Sequence, residues 1–198
     1  MVRLLISVEG HSEYKFVEEV VVPYLSGFDI FVQTQNMKGN IGLDRVGSKL
    51  NALIYSYDFV TTLYDFYGFQ KRHLIDGETK ESLEEKIKNR IKKDQRQKII
   101  PYIQMYEFEA LLFSDAEKMA TGLNTNQDWI NKILVNFNNI EKINNSKDAA
   151  PSKRIEKNAR YIKTTHAPNI LNNIGLAEIR KKCTGFDAWI TRLENLNG

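Results

Sequence analysis

The chain is short of cysteine and histidine. It has one Cys, Cys183, and three His, His11, His73 and His166, in 198 residues. One Cys allows no internal disulfide, which fits a reducing compartment, and so few soft ligands cannot build a Cys-rich zinc site. A lone Cys with no His nearby reads as a small core residue rather than a nucleophile. No run approaches the roughly 18 apolar residues of a membrane helix. The opening segment, Met1-Val2-Arg3 and a five-residue apolar run, is too short for a secretory leader. The expectation is a cytoplasmic protein without a membrane partner. Internal repeats and low-complexity linkers are also missing. The net charge of +3 is mild, so any statement about partners rests on where the charges fall.

What is present is ordinary for a globular chain, at 42% hydrophobic and 27% charged. The hydrophobic pattern alternates between strand and helix. Leu4 to Val8 reads as a buried strand and Tyr14 to Leu25 as a helix, with Pro23 near its last turn. Phe28, Ile30 and Val32 mark a second strand. Residues 36–42 hold two Gly and two Asn, a loop that carries Lys38 and could cover the strand tips. Leu43 to Ser56 presents Val46, Leu50, Leu53 and Ile54 on one helical face. Phe59 to Tyr64 is a continuous β-branched and aromatic run, as in a parallel strand buried on both faces. Residues 68–78, with Lys71, Arg72 and His73, read as a loop. Thr79 caps the next helix, which runs from acidic to basic along its length. Residues 99–106 read as a strand, placed at an edge or with its start near Pro101.

After about residue 115 the strands stop. Helices are expected over 116–122 and 128–137, from Pro151, and over 167–174, 176–183 and 186–196. The fold class is therefore α/β: a Rossmann-like, mostly parallel sheet flanked by helices, with a helical C-terminal half. Residues 1–120 form the α/β part and 121–198 a helical extension packed on it, across a soft boundary.

Acids recur at the strand ends. Glu9 follows the first strand, in Val8-Glu9-Gly10-His11-Ser12-Glu13. Gly10 frees the turn, Ser12 is placed to cap the helix and Glu13 falls in its first turn. Asp65 ends the Phe59 strand, and Glu107 with Glu109 follows the strand at 99–106. The carboxyl ends of parallel strands share one edge of the sheet, where ligands bind in open α/β folds. Converging carboxylates repel by about 1 kcal/mol or more per close pair, and a divalent cation removes that cost. Oxygen donors of this kind suit Mg²⁺ or Mn²⁺, the ions of phosphodiester cleavage. The candidate ligands are Glu9, Asp65, Glu107 and Glu109, with Glu13 as a ligand or a capping acid. Glu107 and Glu109 share a face in a strand but lie about 200° apart in a helix, where only one reaches the site.

Positive charge gathers later. Between Lys142 and Lys163 there are seven Lys or Arg against two acids. Lys153, Arg154, Lys157 and Arg160, with His166 and Lys38, are the candidate contacts to a nucleic-acid backbone. Tyr161 is the one aromatic there, so the segment suits phosphates rather than bases.

Glu9-containing VEGHSE, TTLYDFYG around Asp65, PYIQMYEFEALLF around Glu107 and Glu109, and PSKRI at 151–155 together resemble a known group. They look like the Toprim domain of topoisomerases, primases and OLD-type nucleases. More closely they resemble an uncharacterised prokaryotic Toprim-like family known only as a domain of unknown function. The tail IGLAEIRKKCTGFDAWITRLE extends the likeness over most of the chain. The resemblance implies that Glu9 is the general acid/base or metal ligand and Asp65 the first acid of a DxD pair. Tyr67 stands where the second acid of that pair would be, and Tyr106 where the family string has His. Glu107 or Glu109 would then replace the missing ligand. Lys153 and Arg154 match the family's PSKR and would hold a scissile or flanking phosphate.

The expected function is thus a Mg²⁺- or Mn²⁺-dependent nuclease cutting DNA or RNA, with Glu9, Asp65, Glu107, Glu109 and Lys153 as its chemical groups. The resemblance adds an ATPase partner and a role in defence against phage. The alternative is a Toprim-like regulatory or nucleic-acid-binding subunit that does not cut. Another phosphoryl-transfer enzyme, acting on a nucleotide in a small closed pocket, is a third.

Overall fold

The computed structural model describes residues 1–69, 77–144 and 149–197. Lys71, Arg72 and His73 of the loop expected at 68–78 lie outside the described residues.

β1 (Val2–Val8) is the centre of a parallel sheet, with β2 (Ile30–Asn36) on one side and β3 (Phe59–Asp65) on the other. β4 (Ile99–Ile100) and β5 (Ile103–Gln104) both continue the sheet beyond β3. The single strand expected at 99–106 is therefore two short pieces. Pro101 has no N–H to give a ladder. The Thr62 hydroxyl fills the gap, donating to the Tyr102 carbonyl at 2.8 Å while accepting the Tyr102 N–H at 2.9 Å. Thr61 does related work: its hydroxyl donates to the Ile100 carbonyl and accepts the Trp189 indole N–H.

Helices cover both faces, as they must when β1 and β3 are apolar on both sides. On one face α3 (Leu43–Leu53) and α4 (Lys80–Arg90) bury Val46, Leu50, Leu83 and Ile87 against Leu5 and Val60. On the other face Leu4, Ile6 and Val8 meet α1 (His11–Phe16) and the helical C-terminal half. That half consists of α5 (Ala116–Gly122), α6 (Asp128–Leu134), α7 (Pro151–Asn158), α8 (Lys163–Ile174), α9 (Leu176–Lys182) and α10 (Thr184–Glu194). One apolar core holds Leu4 and Leu63 of the sheet together with Ile155, Ile170 and Leu193. Trp189 of α10 stacks on Tyr102 with ring centroids 4.8 Å apart.

Two departures from the expected elements matter. The first helix starts at His11 and passes through a π turn at Val17–Val21 into α2 (Val22–Ser26). The wide turn precedes Pro23, which cannot donate an i→i−4 bond. Secondly, α8 begins at Lys163, four residues before the expected start at 167. Pro168 therefore lies in the helix interior. The added turn is held because the Ile162 N–H donates to His166 Nδ1 and the His166 N–H to the Ile162 carbonyl, both at 2.8 Å. That turn brings Lys163 over the sheet edge.

Candidate active site

Four carboxylates from four chain segments meet at the carboxyl edge of β1 and β3. Glu9 follows β1 and Glu13 lies in the first turn of α1. Asp65 ends β3, and Glu109 belongs to the 3-10 helix Phe108–Ser114. Glu13, Asp65 and Glu109 are all buried. Local bonds aim each of them. The Gly10 N–H donates to Glu13 Oε2 at 3.0 Å, so Glu13 caps its own helix. Ser12 was expected in that role but is the buried second residue of α1. Gly10 is extended, at φ −141°. Its lack of a Cβ matters for closeness, since a Cβ there would stand 3.1 Å from Glu13 Oε2. The Phe108 N–H donates to Asp65 Oδ1 at 2.7 Å, and the Asp65 N–H to Glu9 Oε2 at 3.3 Å.

Lys163 reaches into this cluster from α8. Its Nζ lies 3.2 Å from Glu13 Oε1, 3.2 Å from Glu109 Oε2 and 3.6 Å from Asp65 Oδ2. About 40% of its side chain remains exposed, so the clasp sits near the surface. Glu9 forms no ion pair among the described residues. The Tyr161 hydroxyl donates to Glu109 Oε1 at 3.4 Å, so this ring serves the acids rather than a base stack.

The charges are unbalanced, with one ammonium against four carboxyls. Burial and the neighbouring Glu13 push the Glu9 carboxyl up to about 7. Burial raises Asp65 well above its usual range against the pull of Lys163, and raises Glu109 likewise. Burial works to lower the Lys163 ammonium, but Glu109, Asp65 and Glu13 outweigh it and hold it well above the ordinary lysine value.

Glu107 and Glu109 part company. Tyr106 has φ +61°, a left-handed turn that is uncommon outside Gly. It sets Glu107 in extended backbone just before the 3-10 helix. Glu107 Oε2 then accepts the Ser152 N–H at 2.9 Å, at the start of α7. So Glu109 joins the clasp of Lys163, while Glu107, expected as a ligand, caps the start of α7 and stays close enough for its charge to help raise the Glu109 carboxyl. Tyr67 packs on Tyr106 with centroids 5.4 Å apart and accepts a hydrogen bond from Asn144 Nδ2.

The expected phosphate contacts are scattered. Lys153 is exposed and paired with Glu156. Arg154 Nε donates to the Ala149 carbonyl at 2.7 Å, and its guanidinium lies over the Phe137 ring. Lys157 and Arg160 are exposed, with no ion pair among the described residues. His166 spends its Nδ1 on the Ile162 N–H and stacks on Tyr161. Lys38 lies in the loop after β2, on the opposite side of Glu9.

Lys163 is the residue that sequence reading missed, because it looks like the last member of a basic run. The signal was the acid excess itself: four carboxylates at one edge require a counter-charge from elsewhere.

The donor chemistry fits a hard divalent cation. All four candidates offer carboxylate oxygens, though Glu13 Oε1, buried and accepting no hydrogen bond, already has Lys163 Nζ at 3.2 Å. Among the described residues, however, no three or more acids or imidazoles are arranged as a ligand cage. The point between three of the carboxylates belongs to Lys163 Nζ.

A parallel α/β frame with an acidic cluster at its carboxyl edge defines the class of this protein. The chain belongs to the family described as "Domain of unknown function (DUF4276)", whose sequence model matches residues 8–194, from the end of β1 to the end of α10. No curated protein and no solved structure matches it.

Proposed function

We propose that this protein is a metal-dependent phosphodiesterase of Toprim type acting on DNA or RNA. The observation that carries the reading is the meeting of Glu9, Glu13, Asp65 and Glu109 at the carboxyl edge of the sheet. Glu9, Asp65 and Glu109, with Glu13, would hold Mg²⁺ or Mn²⁺, which would supply a hydroxide and neutralise charge on phosphate oxygens. The protein's own groups have separable tasks. Glu9, pushed up to about 7 by burial and Glu13 and without an ion pair among the described residues, is either one of these ligands or, where the other acids hold the metal, the group that takes or gives a proton. Glu109 supplies the carboxylate that Tyr67 does not. Lys163 gives the acids a counter-charge, and Glu107 fixes the start of α7, where Lys153 and Arg154 stand. An ATPase partner and a part in phage defence come with the resemblance to Toprim-like effectors and are included in the proposal on that ground.

The test is cleavage of plasmid DNA and of transfer RNA with Mg²⁺ or Mn²⁺. Glu9→Gln and Asp65→Asn should each lower the rate about 100-fold or more. Residual cutting equal to that of the wild type would end the nuclease reading.

One observation favours a second reading, a binding or regulatory subunit that does not cut. Lys163 already bridges three of the acids. Calorimetry decides between the two, since an absence of heat at millimolar Mg²⁺ and Mn²⁺ supports the non-catalytic subunit.

A further inference from the structure

Beside the acidic cluster, across β1, lies a cleft of about 510 Å³ between the loop after β2 and the flank of α3. Its charged side chains are all cationic: Lys38 on the loop, and Arg45 and Lys49 on α3. Gln35 and Ser48 add neutral polar groups. Arg45, Ser48 and Lys49 share one helical face by their spacing of three and four. Lys38 faces them because its backbone is left-handed, at φ +57°, with its N–H held by Asn36 Oδ1 at 2.7 Å. A non-glycine residue in that conformation costs of order 1 kcal/mol, which the surrounding contacts must offset.

These cations are not committed elsewhere. Among the described residues, Lys38 and Lys49 form no ion pair, and the one hydrogen bond of Arg45 is long, 3.5 Å to the Met37 carbonyl. Of the four cations named on the C-terminal side, by contrast, Lys153 is paired with Glu156, and Arg154 is held by a carbonyl and a ring. The cleft is also tied to the acids. The Met37 N–H donates to the Val8 carbonyl at 2.9 Å and the Gly39 N–H to the Glu9 carbonyl at 2.8 Å. The loop that carries Lys38 is thus bonded to the strand end that carries Glu9.

We propose that this cleft is a phosphate subsite, in which Lys38, Arg45 and Lys49 take a backbone phosphate of the nucleic-acid strand whose neighbouring phosphodiester lies at Glu9. The guanidinium grips phosphate oxygens in pairs, and the two ammonium groups act as point charges. This inference rests on the nuclease reading for the identity of the ligand, but the site itself does not need cleavage.

Fluorescence anisotropy tests it, with a labelled 20-nucleotide single strand and chelator in the buffer, so that no cutting occurs. Arg45→Gln/Lys49→Gln should bind about tenfold more weakly. Its salt dependence should flatten by about 1.4 in the log–log slope, near 0.7 per lost contact on a single strand. Lys157→Gln/Arg160→Gln should lose about threefold or less. Both cleft residues are exposed on a helix, so circular dichroism should not change, and Lys49→Gln alone should show part of the loss. Pyrophosphate should displace the strand from the wild type. If AMP displaces it as well as the oligonucleotide does, the phosphate comes from a free nucleotide, and the claim of a strand is overturned. The subsite is overturned if the cleft variant binds within twofold of wild type, if the C-terminal pair loses more, or if the wild type binds no strand. Cleft-dependent binding together with undiminished cutting by Glu9→Gln would keep the subsite and remove the nuclease reading.

Discussion

Lys163 Nζ stands 3.2 Å from Glu109 Oε2 and the same distance from Glu13 Oε1, so one ammonium from the helical half clasps acids from two elements of the other half. Lys163→Met keeps much of the volume and removes the charge. Three carboxylates would then face one another without a counter-ion. The pairs are partly exposed, which lowers the cost from that of a fully buried pair to about 2 kcal/mol. In metal-free buffer at pH 8 the melting temperature should fall by about 4–8 °C. Millimolar Mn²⁺ should then raise it more in the variant than in the wild type, because the ammonium no longer competes for the same oxygens. Melting within a degree of wild type would show that the clasp contributes nothing, and a Mn²⁺ shift confined to the wild type would rule out competition.

A second expectation concerns pH. Glu9 is raised from 4.5 to about 7 on folding, and Asp65 and Glu109 are raised as well. The folded protein then binds more protons than the unfolded chain between about 4.5 and 7. Stability from these groups is full below 4.5 and is lost as the pH rises through 7, by up to about 3 kcal/mol for Glu9 alone. Lys163 does not oppose this window: its raised value keeps its contribution until the pH passes the ordinary lysine value of 10.5. Calorimetric melting in chelator should therefore give a higher midpoint at pH 5.5 than at pH 8, and Glu9→Gln should flatten the profile. A midpoint that falls steadily on acidification over this range would contradict the raised carboxyls.

Much of this was legible in the residues. The apolar runs at Leu4–Val8 and Phe59–Tyr64, short and in the second case rich in β-branched and aromatic residues, read as buried strands, and an acid directly after each run marks the edge where they end. The spacing of Val46 and Leu50 identifies α3 in the same way. What could not be read was which of two nearby acids turns inward. Glu107 and Glu109 were separated where the extended backbone of Glu107 gives way to the 3-10 helix at Phe108, a local switch that no periodicity signals. Lys163 was hidden for a similar reason. Its helix starts four residues early because of a local bond to His166, and the partners of its ammonium are 54, 98 and 150 positions away in sequence. Periodicity reports on neighbours along the chain, whereas a site is made of contacts across it.

Gly68 gives the last expectation, and it bears directly on Glu9. A Cβ at this position would stand 2.5 Å from Glu9 Oε2 and 2.5 Å from Ile41 Cδ1. Real contacts are not that close, so Gly68→Ala must move the carboxylate, the isoleucine or the 3-10 turn Phe66–Phe69. Overpacking of this kind costs about 1–3 kcal/mol. The carboxylate is the polar one of the two neighbours, and its bond from the Asp65 N–H is already long at 3.3 Å, so Glu9 should be displaced. A double-mutant cycle reads this out. The destabilisation by Gly68→Ala, measured by urea unfolding in chelator, should shrink by at least about 1 kcal/mol in a Glu9→Ala background, where the carboxylate is gone. If the two changes are additive, the alanine methyl is accommodated by Ile41 alone. Gly68 would then have no part in placing Glu9.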